Sequence, residues 1–265
     1  MKKLHLFLTL CVSLVLFYGC ENSVEEEAFP FEFRLVIRGI LEPGKQVTNI
    51  YIGRTIPITE QFSPGFANLA NAHAVILHNN TFYPLRHTRD GLYRNDTLNI
   101  LPGETYQLLV QWEDKLATAE TTIPHQGNIE KPVIKSSGGG ASAKNFVECS
   151  IAPWSNEVYA ASWVAYFISG AVAQEDSSIA AVIKQGDNGR LKIITNQVPA
   201  FLGTQNLGMR VYIYDAPFYD YYYSQGSNRT SDLVFGQPRN NIKWNVQADG
   251  IGIFIGRRDT LISIN

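Results

Sequence analysis

Four histidines lie in the body of the chain, and histidine is a common ligand of zinc and iron. They are His73, His78, His87 and His125. None of them belongs to a His-Glu-x-x-His motif, and no pair of cysteines accompanies them. His73 and His78 stand five residues apart, so a strand would place them on opposite faces of its sheet. The spacing therefore predicts polar surface histidines, with no metal site and no cofactor.

Nucleophilic catalysis has even less support in the sequence. The chain contains neither Gly-x-Ser-x-Gly nor Ser-x-x-Lys. Cys149 lies in a strand-like run at 146–151, which predicts a small core residue. Asp215 and Asp220 form a candidate pair of carboxylates, but acid–base catalysis needs a shifted pKa and close geometry that a sequence does not reveal. We predict that the protein is not an enzyme, with an uncharacterised hydrolase or metal-dependent enzyme as the remaining enzymatic alternative.

Three glycines near the end of the chain resemble a nucleotide-binding fingerprint but do not match it. The pattern Gly250-x-Gly252-x-x-x-Gly256 has one residue too many before its last glycine, and no βαβ unit precedes it. Glycines inside a strand permit a bulge or the close approach of another backbone. The pattern therefore favours close strand packing over phosphate binding.

The richest segment for recognition is a run of aromatic residues at 212–224. Tyrosine gives a large contact area at low entropic cost and carries a hydroxyl group, so it is favoured at interfaces. The alternative is that these rings cover the protein's own sheets. A short helix is predicted directly after Asp215-Ala216-Pro217, because proline suits a first helical turn. The candidate binding surface comprises Tyr214, Phe218, Tyr219, Tyr221, Tyr222 and Tyr223.

The elements that must position these residues are strands. Turn signals recur at intervals of about 8–12 residues, which is typical of a β-sandwich. They include Pro43-Gly44, Asn79-Asn80, Asp90-Gly91 and Pro102-Gly103. We predict an all-β fold, with one β-sandwich over residues 32–125 and a second β-rich domain with one short helix over residues 126–265. Residues 127–131 are expected to form a linker, and 178–184 and 242–246 are among the strands expected in the second domain.

Composition narrows the function classes. The 265-residue chain has 22 Lys and Arg against 24 Asp and Glu, a net charge of −2. A near-neutral chain offers no electrostatic footprint for nucleic acid. Its 45% hydrophobic content is enough to bury a substantial core.

The start of the chain has the features of a secretion signal. Lys2 and Lys3 precede an apolar run that ends at Gly19-Cys20. The run is too short to span a bilayer, which takes about 20 residues. We predict a lipoprotein signal peptide over residues 1–19, lipidation of Cys20 and an acidic tether over residues 20–31. The alternative is an ordinary signal peptide that is cut elsewhere, with Cys20 incidental.

Four short motifs lie along the chain. They are the lipoprotein start with the strand at 35–40, Gly103-Glu104-Thr105-Tyr106-Gln107-Leu108, Ala119-Glu120-Thr121-Thr122-Ile123-Pro124, and the run from Asn241-Ile242 to Ile253-Phe254. Together they resemble the lipoproteins of Bacteroidota known as domain of unknown function 4249. The resemblance implies an N-terminal Ig-like or carboxypeptidase-regulatory-like β-sandwich followed by a second β-rich domain. It also implies an outer-membrane setting, often beside a TonB-dependent receptor, and it implies no reaction. The acidic run Glu25-Glu26-Glu27 resembles the surface-export tags of such lipoproteins, although a plain solvated tether is the alternative.

These observations lead to a predicted function. We expect a lipid-anchored outer-membrane protein, exposed at the cell surface, that binds a ligand and partners a TonB-dependent receptor in nutrient uptake. The alternative is a fimbrillin-like or adhesin subunit that polymerises by strand donation. Such subunits usually carry an Arg or Lys cleavage site near the mature start, but Arg34 and Arg38 fall in a predicted strand. The expected partners are the membrane and the receptor, with no nucleic acid and a ligand that the sequence does not identify.

Overall fold

A computed structural model describes residues 31–138, 144–167, 169–176, 178–184, 189–199, 206–227 and 242–264. The predicted signal peptide, Cys20 and nearly all of the predicted tether lie outside these residues. Residues Phe33–Asn265 form one compact unit. The domain boundary placed after residue 125 stays a prediction.

The described residues contain seventeen strands and two helices, so the all-β prediction is confirmed. The helices are α1 (Pro64–Ala67), which the sequence did not predict, and α2 (Pro217–Ser227), which it did. The strands are β1 (Leu35–Leu41), β2 (Val47–Arg54), β3 (His73–His78), β4 (Thr81–Arg89), β5 (Leu92–Asn95), β6 (Thr105–Trp112), β7 (Lys115–Thr122), β8 (Asn128–Ile129), β9 (Val133–Ser137), β10 (Lys144–Ala152), β11 (Val158–Tyr166), β12 (Val172–Glu175), β13 (Ile183–Lys184), β14 (Leu191–Ile194), β15 (Leu207–Tyr214), β16 (Gln247–Ala248) and β17 (Gly250–Ser263).

Tight turns set the register of the first strands, as the sequence predicted. Gly44 has a φ of 72° behind Pro43, the geometry of a type II turn between β1 and β2. Asn79 and Asn80 both have positive φ and close the β3–β4 hairpin. The halves of the sheet that contain β1–β2–β5 and β3–β6–β7 supply residues to the same core, so the sheet folds over itself as a sandwich.

The longest strand, β17, joins the two parts of the molecule. Its first half runs parallel to β1, from Leu35 opposite Gly250 to Leu41 opposite Gly256. Its second half runs antiparallel to β15. Gly252 has a φ of 125°, and a Cβ there would collide with the Ile37 carbonyl oxygen. The prediction that these glycines serve close strand packing is therefore confirmed.

A second core lies between two sheets. One is the four-stranded sheet in which β10 pairs with β14, β8 and β9. Its inward side chains, with Cys149 among them, pack against those of β11 and β15. On the opposite face of β11, β15 and β17, a third cluster packs beneath α2.

Three local expectations were wrong. The predicted linker at 127–131 contains β8, which pairs with β10. Of the strand expected at 178–184, only β13 forms, and it pairs with the start of β11. The earlier strand β12 pairs with the end of β11. Residues 242–246 form no strand. The Asn245 side chain donates to the Phe254 carbonyl (2.6 Å) and accepts from the Phe254 N–H (2.9 Å), so it takes the place of a strand partner there.

Candidate functional site

One concave feature among the described residues is a cleft of about 490 Å³, which we call the Asp215 cleft. It lies where the end of β7 and the segment after it meet the β10–β11 loop and the β15–α2 junction. Clefts of this size suit small ligands. The cleft is lined by Gly103, Glu120, Thr121, Thr122, Ile123, Pro124, His125, Trp154, Ser155, Asn156, Glu157, Asp215, Ala216 and Pro217.

Asp215 is the most unusual group in this cleft, with only 6% of its surface exposed. Its Oδ2 accepts a hydrogen bond from the Thr121 hydroxyl, whose oxygen in turn accepts one from the Gly256 N–H (2.5 Å). Its Oδ1 is buried and has no hydrogen-bond partner within the described part of the chain. Burial raises the pKa of the Asp215 carboxyl to about 7, and the Thr121 hydroxyl and nearby backbone N–H groups offset only part of that cost.

Backbone pairing explains why Asp215 is fixed in place. It directly follows β15, and its N–H donates to the Gly256 carbonyl in β17 (3.2 Å). Thr121 comes from β7, so a single carboxyl bridges strands of the first core and the end of β15. Pro217 then begins α2, which directs the chain away from the sheet.

An exposed indole also lines the cleft. Trp154 is 70% exposed in the β10–β11 loop, although tryptophan is costly to leave in water. The imidazole of His125 lies beside it, with ring centroids 5.0 Å apart. Gly103 lies so close to His125 that a Cβ at that position would collide with the imidazole. The His125 ring is thereby held between the 101–104 turn and the indole.

Negative charge dominates the rest of the wall. Glu157 is buried, and its carboxylate accepts a hydrogen bond from the Ser155 N–H (2.6 Å), which holds the loop that carries Trp154. Glu120 adds a third carboxyl on the rim. Among the residues that the structure describes, no Lys or Arg lines the cleft. The arrangement favours hydrogen-bond donors or positive charge next to an apolar or cationic face on Trp154.

The candidate binding surface of aromatic residues lies on and beside α2. Tyr214 is buried and stacks on Phe218 at 3.9 Å. Tyr219, Tyr221 and Tyr222 are half-buried against the third cluster. Tyr223 is the most open of the six, at 45% exposed, and its hydroxyl donates to the Val182 carbonyl (2.8 Å). Most of this aromatic area thus covers the protein's own sheet, and its role in binding stays a prediction.

The other residues singled out in the sequence do not come together. His73 and His78 lie on opposite faces of β3, as predicted, but His78 is buried and stacks on Tyr106 at 4.3 Å, so its prediction as a surface residue was wrong. Asp220 is exposed, whereas Asp215 is buried. No group of three or more His, Cys, Asp or Glu side chains is placed to hold a metal ion in the described ranges.

Cys149 is buried among apolar side chains of the second core, as predicted. Burial raises the pKa of its thiol to about 12. A thiol with such a pKa carries almost no thiolate at neutral pH, so it is a poor nucleophile.

Sequence reasoning missed the cleft itself. It named Asp215 as a candidate partner of Asp220, and His125 as one of four polar surface histidines with no metal site. Trp154 and Glu157 belong to no motif, and the motif that contains Thr121 says nothing of a cleft, because segments far apart in the chain bring these residues together. The one usable signal was Trp154 in the turn-like run Pro153-Trp154-Ser155-Asn156, where a large aromatic residue has no strand partner.

The fold and the cleft define an all-β protein with two main cores and a polar cleft where their strands meet. The model of the family described as Domain of unknown function (DUF4249) matches residues 21–260, and the chain belongs to that family. No curated protein matches the chain.

Among solved structures, a crystal structure of bovine butyrophilin aligns with 89% of this chain and 100% of its own chain. The sequence identity is 10% and the TM-score is 0.22, which is too low to carry an argument about function or detailed fold. A search of the described helices finds none that is both long enough and apolar enough to cross a bilayer.

Proposed function

We propose that this protein is a lipid-anchored binding protein of the outer membrane that captures a ligand in the Asp215 cleft at the cell surface. The observation that carries the binding role is the pairing, in one cleft, of the exposed Trp154 with the buried Asp215. An exposed indole and a buried carboxyl oxygen without a partner both raise the free energy of the protein without a ligand. A ligand that covers the indole and donates a hydrogen bond to the carboxyl would recover it.

The charge of the cleft supports one class of ligand. The carboxylates of Glu120 and Glu157, with no Lys or Arg among the described lining residues, disfavour an anionic ligand through like-charge repulsion. A neutral ligand rich in hydroxyl or amide donors, or an organic cation, fits the same wall. Stacking on Trp154 contributes to either through dispersion or cation–π attraction.

The membrane setting comes from the start of the chain. The apolar run before Gly19-Cys20 and the acidic stretch after it support acylation of Cys20. A binding lipoprotein that is anchored at the cell surface needs a partner to move its ligand across the outer membrane. We propose a TonB-dependent receptor as that partner, and Bacteroidota as the source of the chain, on the strength of the resemblance set out above.

One preparation tests both parts of this proposal. The tagged full chain would be expressed in a Bacteroidota host and recovered from detergent-solubilised membranes. We expect an acyl group on Cys20 by mass spectrometry and a co-purifying barrel protein. Recovery of an acylated protein with no barrel protein would overturn the receptor partnership.

Native mass spectrometry of the same sample tests the cleft. We expect a bound small molecule that is lost in Trp154→Ala and retained in Phe82→Ala, a matched removal of an exposed ring on β4. Equal retention in both variants would remove the cleft from the proposal.

Strand donation remains the alternative function, but no contact within the described ranges favours it. A donated strand needs a vacant place in a sheet. The first strand of the compact unit, β1, already has β17 on one side and β2 on the other.

A further inference from the structure

A second exposed apolar feature lies on the loop between β2 and α1. Ile58 is fully exposed and Phe62 is 66% exposed. The two residues stand within five positions of each other, with the single acidic residue Glu60 between them. Isolated exposed apolar residues are ordinary, but a shared apolar tip marks a contact surface.

The loop is held outward by its own hydrogen bonds. The Glu60 N–H donates to the Pro57 carbonyl (3.0 Å), which forms a turn with Ile58 at its corner. At the far end, the Ser63 carbonyl accepts bonds from the N–H groups of Phe66 and Ala67 and starts α1. The exposure of Ile58 is therefore a property of a built turn.

The base of the loop is tied to the point where the compact unit begins. The Thr55 N–H donates to the Arg34 carbonyl (2.9 Å), and the Thr55 hydroxyl accepts from the Arg34 N–H (3.0 Å). The Arg54 guanidinium lies over the rings of Phe33, Phe66 and Trp112, at 5.0, 3.9 and 5.2 Å from their centroids. Its Nε donates to the Phe66 carbonyl (2.7 Å).

We propose that the loop at 56–62 rests in the interface of the membrane to which Cys20 is anchored. This inference depends on the lipid anchor proposed above. Fully extended, the chain from Cys20 to Phe33 spans at most roughly 45 Å, so the compact unit stays near the bilayer. The compact unit begins at Phe33, whose ring lies under the Arg54 guanidinium at the base of the loop. The point where the tether joins the compact unit is therefore at the base of this loop.

The chemistry of the tip suits the interfacial region. Apolar side chains that reach a few ångströms below the headgroups add binding to an acyl anchor. Glu60 keeps its carboxylate at the headgroup level and limits the depth, so the tip lies on the membrane without spanning it. Arg34 is exposed at the base, where its Nη2 donates to the Gly250 carbonyl (3.2 Å), and it adds one positive charge near the start of the compact unit.

A fluorophore on the loop tests this contact. The acylated protein with Ile58→Cys would be labelled with an environment-sensitive maleimide dye and placed in vesicles of phosphatidylethanolamine and phosphatidylglycerol that contain a headgroup-level quencher lipid. Acylation consumes the Cys20 thiol, and Cys149 is buried, so the dye goes to position 58. The matched control is Val172→Cys, an exposed β-branched residue on β12, which is five strands away from β2 at one end of the long sheet.

We expect quenching at position 58 to exceed that at position 172 by at least about twofold, and Phe62→Ser to lower the quenching at position 58. Equal quenching at the two positions, whether strong or absent, would overturn the inference. The mass of the same sample separates the causes. If Cys20 carries no acyl group, the proposed anchor fails and the inference fails with it. If Cys20 is acylated and the dye at position 58 stays in water, the loop contact alone is refuted.

Discussion

The buried carboxyl of Asp215 should make the stability of the protein fall as the pH rises. Its folded pKa is about 7, against an ordinary value of 3.8 in the unfolded chain. Between these values the folded state holds a proton that the unfolded state has released. The stability tied to this proton is fully present below about pH 4, declines through the window and is lost above about pH 7.

The size of this effect follows from the two pKa values. One pKa unit corresponds to about 1.4 kcal/mol, so the whole window is worth roughly 4 kcal/mol. Between pH 5 and pH 8 the loss should be about 2–3 kcal/mol. Asp215→Asn removes the ionisation while keeping an oxygen that accepts from the Thr121 hydroxyl. Its stability should therefore change less with pH than that of the unmodified protein, by the same 2–3 kcal/mol.

Urea denaturation of both proteins at pH 5 and pH 8 measures this difference. A constant loss from the replaced Oδ1, about 1 kcal/mol, cancels when the two pH values are compared. Asp220→Asn is the matched control, because Asp220 is exposed on α2 and should leave the pH dependence unchanged. If Asp215→Asn retains the full loss between pH 5 and pH 8, the carboxyl is not the group that titrates in this range.

Three further predictions follow from the packing. Gly252→Ala should lower the free energy of unfolding by about 3 kcal/mol or more, measured by urea denaturation, because its Cβ meets the Ile37 carbonyl oxygen and its φ is positive. A smaller loss would mean that β1 and β17 can move apart. Arg54→Ala should lower the free energy of unfolding by about 1–2 kcal/mol in the same assay, because three aromatic rings lose their contact with the guanidinium. An unchanged free energy of unfolding would show that these cation–π contacts contribute nothing to stability. Cys149 should react with a thiol reagent at pH 8 only after unfolding in urea, because burial raises the pKa of its thiol to about 12, and rapid reaction of the native protein would contradict its place in the second core.

Local patterns predicted the local structure of this protein. Pro43-Gly44 and Asn79-Asn80 formed the turns that their backbone preferences require, and Pro217 began the expected helix. The strand expected at 242–246 does not form, because the Asn245 side chain makes the hydrogen bonds to the Phe254 backbone that a strand would make. The hydrophobic pattern of the sequence does not reveal such a side-chain contact. Pairing between distant segments was also hidden, since the parallel match of β1 with β17 joins residues more than 200 positions apart.

The cleft was hidden for the same reason. Its walls come from four separate segments, and each segment alone looks like ordinary strand or loop. The aromatic run at 212–224 drew attention because six tyrosines stand close together in sequence. Most of those rings turned out to cover β11, β15 and β17, which is the alternative that the sequence left open.

The position of Asp215 gives the strongest link between stability and function. If position 215 served only to join β7 to β17, an asparagine would stabilise the folded protein more than an aspartate at neutral pH. A buried carboxylate without a full set of hydrogen-bond partners is destabilising. If Asp215 serves the ligand, Asp215→Asn should be more stable than the unmodified protein at pH 8 and yet lose the small molecule seen by native mass spectrometry. A variant that gains stability and keeps the bound molecule would separate the carboxyl from binding and leave Trp154 as the main contact. A variant that is less stable at both pH 5 and pH 8 would assign Asp215 to the fold instead.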